Sequence, residues 1–174
     1  MENILIIPIG NIALGILEGI SEALRNAFHL NVQTGKEISV PKDAFDNKRG
    51  QYYSTTILQK IRSVKPINFN RALSVIDADL YVPELNFVFG EADKYSRVAI
   101  ISLTRLRQEF YGLKPDKNLF NQRAIKEAIH EMGHTYGLGH CQNPKCIMYF
   151  SNTLKDTDNK GPGFCNACRK KLGL

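Results

Sequence analysis

The chain has 174 residues, 43% hydrophobic and 23% charged, with a net charge of +6 at pH 7. That size and balance suit one domain with its own core and exclude a disordered or collagen-like chain. Lysine and arginine are dispersed, and the densest run is only Arg169-Lys170-Lys171, so the excess reads as solvated surface rather than a nucleic-acid face.

The N-terminus has no basic segment ahead of its apolar run, Ile4 to Ile9. That run is too short and too β-branched for a signal peptide, and no stretch approaches the ~18 apolar residues of a membrane span. A cytoplasmic protein with no membrane partner is expected. Ile4-Leu5-Ile6-Ile7 predicts a strand buried on both faces of a mostly parallel sheet. From Gly10 to Phe28 the apolar residues Ile12, Ile16, Ile20, Leu24 and Phe28 recur every fourth position, one face of an amphipathic helix. Leu30 to Ile38 is a second strand.

Residues 41–53 are rich in Lys, Asp, Asn and Gly and predict a loop. Ser54 is the expected N-cap of a helix carrying Ile57, Leu58 and Ile61. Ala72 to Val82, Asn86 to Phe89 and Val98 to Leu103 complete five strands. The link around Pro83-Glu84-Leu85 is too short for a helical crossover, so the third and fourth strands are expected to be antiparallel. Strands alternating with helices give an α/β fold, with an edge strand open to an extended peptide.

A long helix is predicted from Asn118 to Tyr136, and it carries the decisive segment, His130-Glu131-Met132-Gly133-His134-Thr135-Tyr136-Gly137-Leu138-Gly139-His140. Residues i and i+4 share a helix face, so His130 and His134 present two imidazoles to one zinc ion. Glu131 sits one residue round, within reach of a metal-bound water without being a ligand. Gly137 stops the helix and lets His140 return as third ligand, leaving a fourth position open, as catalytic zinc requires. Three of the four histidines fall in this frame. The fourth, His29, sits at a helix end and has no assigned role.

The four cysteines form a second set: Cys141-x4-Cys146, then Cys165-x2-Cys168. Two close pairs separated by a spacer read as a structural zinc site. The competing readings are buried thiols and a redox C-x-x-C, and the second lacks a thioredoxin-like strand–helix setting around Cys165. In an extended segment His140 and Cys141 point to opposite sides, so one faces each metal. Met148, flanked by Cys146 and Phe150, is either a core methionine or a turn beneath the zinc site.

The histidine motif, the spacing to Cys146, Met148 two residues later and the final C-x-x-C together resemble the archaemetzincins. Leu85 to Ala92 and the strand ending Ile101-Ser102-Leu103 resemble theirs as well. The resemblance covers nearly the whole chain. It implies a metzincin-like zincin: a twisted five-stranded mixed sheet with one antiparallel edge strand, helices, and a small zinc-stabilised C-terminal lobe. It implies one domain over residues 1–174, with 1–140 carrying the sheet and active-site helix and 141–174 the lobe. It implies two zinc ions, one catalytic on His130, His134 and His140 and one structural on Cys141, Cys146, Cys165 and Cys168. Glu131 matches the general base and Met148 the Met-turn residue. Where some metzincins place a tyrosine two residues after this Met, the chain has Phe150, so neither Phe150 nor Tyr149 is given a catalytic role. The expected function is zinc-dependent hydrolysis of peptide or protein substrates, by a monomer. The alternative is a zinc-bound peptide- or nucleic-acid-binding module without turnover.

Overall fold

Unbroken apolar runs build the centre of the molecule. In the computed structural model, which describes residues 2–174, β1 (Asn3–Ile9) is followed by α1 (Leu14–Phe28) and β2 (Asn31–Thr34). A short hairpin, β3 (Phe45–Asp46) and β4 (Gln51–Tyr53), leads into α2 (Ser54–Val64). Then come β5 (Arg71–Ile76), β6 (Leu80–Tyr81), β7 (Gly90–Asp93) and β8 (Val98–Ser102), the long α3 (Lys117–Thr135), and the short α4 (Leu154–Asn159) and α5 (Asn166–Leu172).

The main sheet has the order β2-β1-β5-β8-β7. Its first four strands are parallel, and β7 is antiparallel to β8. Side chains alternate across the pleat. Ile4 and Ile6 of β1 therefore join Leu73, Val75, Ala99 and Ile101 under α1 and α3. Leu5, Ile7 and Ile9 meet Ile57, Leu58 and Ile61 of α2 on the opposite face. Each fully buried aliphatic side chain contributes roughly 1.5–3 kcal/mol, so both layers are held by burial rather than by propensity.

Several sequence expectations are corrected. The first helix begins at Leu14, not Gly10. The loop expected at 41–53 contains β3 and β4, which form a separate three-stranded sheet with β6. The third strand stops at Ile76, because Asp77 and Asp79 turn out to meet Arg107 and Arg105. Ser54 is the first helical residue of α2 and not its cap. The antiparallel pairing expected between the third and fourth strands is reduced to one bridge, Leu80 to Val88, and the antiparallel pair of the main sheet is β7–β8, because β8 inserts between β5 and β7. Its edge strand is Gly90–Asp93, four residues beyond the start of the expected Asn86–Phe89. The hairpin turn is fixed by the Asp93 carboxylate, which accepts from the Tyr95 and Ser96 N–H groups.

The C-terminal segment holds two helices. A capping box between Thr153 and Asp156 starts α4. Arg123 of α3 pairs with Asp158 through two 2.7 Å bonds, and Lys126 Nζ donates to the Thr157 and Asp158 carbonyls. Arg169, Lys170 and Lys171 fall in the last turn of α5, where cations complement the helix dipole. Among the described residues no helix is long and apolar enough to cross a membrane.

Candidate active site

The Asp116 carboxylate caps α3 by accepting from the Leu119 N–H at 2.9 Å. From there the helix runs to Thr135 and turns His130 and His134 into a cleft of about 880 Å³. Gly137, with φ of +85°, supplies the left-handed reversal that a side chain disfavours, and the chain returns with His140. One nitrogen from each of the three histidines lies within 4.8 Å of the others. The His140 ring is packed against Phe150, 4.9 Å between centroids.

The ring orientations fit a metal. His130 Nδ1 lies 2.8 Å from the Ile147 carbonyl, and His134 Nδ1 lies 2.7 Å from the Leu138 carbonyl. A carbonyl only accepts, so both Nδ1 atoms carry the proton and both Nε2 atoms present lone pairs. Those two Nε2 atoms stand 3.0 Å apart. Two lone pairs at that distance repel unless a cation lies between them. Burial also pushes the pKa of all three imidazoles down, which keeps them neutral and able to ligate. Zinc suits three neutral imidazoles.

Glu131 is buried beside this cluster, 6% exposed, against the start of the edge strand. A Cβ on Gly90 would lie 2.6 Å from Glu131 Cγ and 2.6 Å from the Ile100 carbonyl oxygen, so only glycine leaves room for the carboxylate. Burial, and then the neighbouring Glu127, push the Glu131 pKa well above the usual carboxylate range. A cation on the histidines acts in the opposite direction. Glu91, on β7, accepts from the Ser54 and Thr55 hydroxyls and so ties the edge strand to the start of α2.

The four cysteines converge on a second point, their sulfurs within 4.8 Å of one another, with no disulfide. Cys141 Sγ and Cys165 Sγ are 3.8 Å apart. Thiolates bound at ~2.3 Å to one tetrahedral zinc sit about that far from each other, whereas a disulfide needs about 2.05 Å. The Cys165 N–H points at Cys146 Sγ at 3.3 Å and the Asn143 N–H at Cys141 Sγ at 3.5 Å, donors that favour thiolates. The backbone N–H of Cys168 and further bonds hold the Cys165 thiol down to about 7, while burial raises Cys146 and Cys168.

Residues 146–148 join the two clusters. Cys146 belongs to the sulfur set, the Ile147 carbonyl orients His130, and the Met148 carbonyl accepts from the Cys141 N–H at 2.9 Å. Met148 is fully buried against Gly133. The structure thus brings together every residue singled out in the two motifs. Sequence reasoning missed the structural reasons for Gly90 and Gly133. It also missed Glu127, which lines the cleft, and Lys160, which pairs with it. Phe150 lines the cleft; Tyr149 does not.

Known proteins resemble this chain in sequence and fold. The model of Peptidase family M54 matches residues 10–173. An archaemetzincin of Methanocaldococcus jannaschii is 43% identical over 165 residues, 95% of this chain and 89% of the relative. The crystal structure of a zinc-dependent peptidase from Methanocorpusculum labreanum superposes with a TM-score of 0.89 at 34% identity, covering 97% of this chain and 99% of that one. That of an archaemetzincin from Methanopyrus kandleri gives 0.87 at 35% identity, covering 99% and 93%. The chain belongs to peptidase family M54, the archaemetzincins, and is a zinc metallopeptidase.

Proposed function

We propose that His130, His134 and His140 hold the catalytic zinc and that Glu131 is the general base of peptide-bond hydrolysis. The observation that carries this reading is the buried Glu131 carboxyl beside three converging imidazoles, two of which, His130 and His134, have their far nitrogens committed to carbonyls. Zinc at this site supplies Lewis acidity, which activates water near neutral pH and polarises a carbonyl. Glu131 takes the proton from the attacking water and hands it to the leaving amine. The outer edge of β7 is unpaired, and Gly90 and Ala92 line the cleft, so the substrate backbone adds there as an extended strand.

The four cysteines hold a second, structural zinc, giving two ions per chain. Residues 1–140 and 141–174 act as one unit, since the lobe's Ile147 carbonyl orients a ligand on α3. Thiolate ligands require reducing conditions, which argues for the cytoplasm. The test is digestion of a mixed peptide library followed by mass spectrometry. Cleavage that stops on chelation and returns with added zinc supports the reading. No cleavage at any zinc loading rejects it.

A further inference from the structure

The active-site helix carries a second carboxylate that hydrolysis does not use. Glu127 lies one turn before Glu131 on the same face and lines the cleft, although only 2% of it is exposed. Its Oε1 accepts from the Thr157 hydroxyl at 3.2 Å and lies 2.8 Å from Lys160 Nζ, while Oε2 takes neither contact. Lys160 is 1% exposed, and its ammonium lies off the line of a hydrogen bond, so it stays beside Glu127 as a charge with uncommitted donors. Arg123 and Lys126 do not relieve the pair, because both are engaged by α4. The segment after Met148 contributes Ser151 to the same cleft, and its buried Oγ has no partner among the described residues.

A buried ion pair gives no stability advantage over apolar residues of similar volume. Its place in the cleft wall therefore needs another explanation. We propose that Glu127, charge-balanced by Lys160, is a specificity-determining residue, and that the pocket it shares with Ser151 selects an uncharged hydrogen-bond-donating side chain, an amide or a hydroxyl, close to the scissile bond. The inference rests on the peptidase reading of the histidine site. An acidic side chain meets the Glu127 carboxylate. A basic one places a second cation beside an anion that Lys160 already neutralises. An aliphatic one covers Oε2 and supplies no donor to it or to the unpartnered Ser151 hydroxyl. A neutral donor satisfies the acceptor with no charge conflict.

The test uses zinc-loaded Glu131→Ala, which on this reading binds peptides without cutting them. Peptides with each position varied in turn among Gln, Ser, Leu, Lys and Glu are titrated by fluorescence anisotropy, and the same series is digested by the native enzyme. The expected result is a position at which Gln and Ser peptides bind, and are cut, about tenfold better than the other three. Glu127→Gln alone leaves Lys160 uncompensated and risks misfolding. Glu127→Met with Lys160→Met replaces the pair at similar volume, and should keep its zinc while shifting the preference to Leu. A native preference for charged or aliphatic side chains overturns the assignment, as does an unchanged preference in a folded double variant. Discrimination in binding without turnover by the native protein would sink the peptidase reading and leave the pocket assignment standing.

Discussion

Met148 fills the space that a side chain at Gly133 would need: a Cβ built on Gly133 lies 2.5 Å from the Met148 sulfur. Gly133 sits between the two helical histidines, so the backbone that spaces them rests on this methionine. The adjacent Ile147 carbonyl orients His130. The glycine of the motif is thus a packing requirement, despite the ~1 kcal/mol that glycine costs within a helix.

Gly133→Ala should therefore destabilise the fold by roughly 1–3 kcal/mol, overpacking outweighing the gain in helix propensity. It should also weaken zinc at the histidine site. Met148→Ala in the same chain should restore part of that affinity. Zinc competition with a chromophoric chelator reads both. An unchanged affinity in Gly133→Ala would break the proposed link between methionine and histidines.

Gly90→Ala pushes a methyl against Glu131 Cγ and against the Ile100 carbonyl, and the backbone contact cannot swing aside. Zinc content should be native, and kcat/KM should fall by at least about tenfold as the carboxylate is displaced. A variant with full activity would show that Glu131 tolerates movement.

Cys141→Ser removes a sulfur from the second cluster and loosens the segment whose N–H binds the Met148 carbonyl. Support at that remove typically changes metal affinity by about 10–100-fold. The expectation is one zinc per chain at limiting metal, with the histidine site weakened as well. Undiminished affinity at the histidine site would mean that the lobe does not deliver His140.

Arg71 grips the far end of the active-site helix. Its Nη1 donates to the Thr135 carbonyl at 2.6 Å, and its guanidinium lies 3.4 Å over the Tyr136 ring, which stacks on Phe28. Lysine offers neither the fork nor the stacking plane. Arg71→Lys should lower stability by about 1–3 kcal/mol and broaden the visible spectrum of the cobalt-substituted histidine site. A native spectrum would limit Arg71 to a role in folding.

Much of this is legible in the amino-acid sequence. The central strands announce themselves because both faces are buried and the apolar runs are unbroken. The histidines and cysteines do so because ligation demands fixed spacings. The features that were missed are short or long-range. β3, β4 and β6 span two or three residues and leave no period to detect. The antiparallel pairing expected of the third and fourth strands shrinks to the Leu80–Val88 bridge because β8 inserts between β5 and β7, a matter of topology. The Glu127–Lys160 pair joins residues 33 positions apart in the sequence, and nothing local to either marks it. The capping box from Thr153 to Asp156 was readable and marks a helix that the sequence reading passed over.

The most direct measurement compares kcat/KM and zinc content of the native chain with those of Glu131→Ala. The account predicts two zinc ions in each protein, with hydrolysis reduced in the variant by at least about a hundredfold, the scale of a lost general base. A variant that keeps both ions and cuts at the native rate would contradict the role given to Glu131.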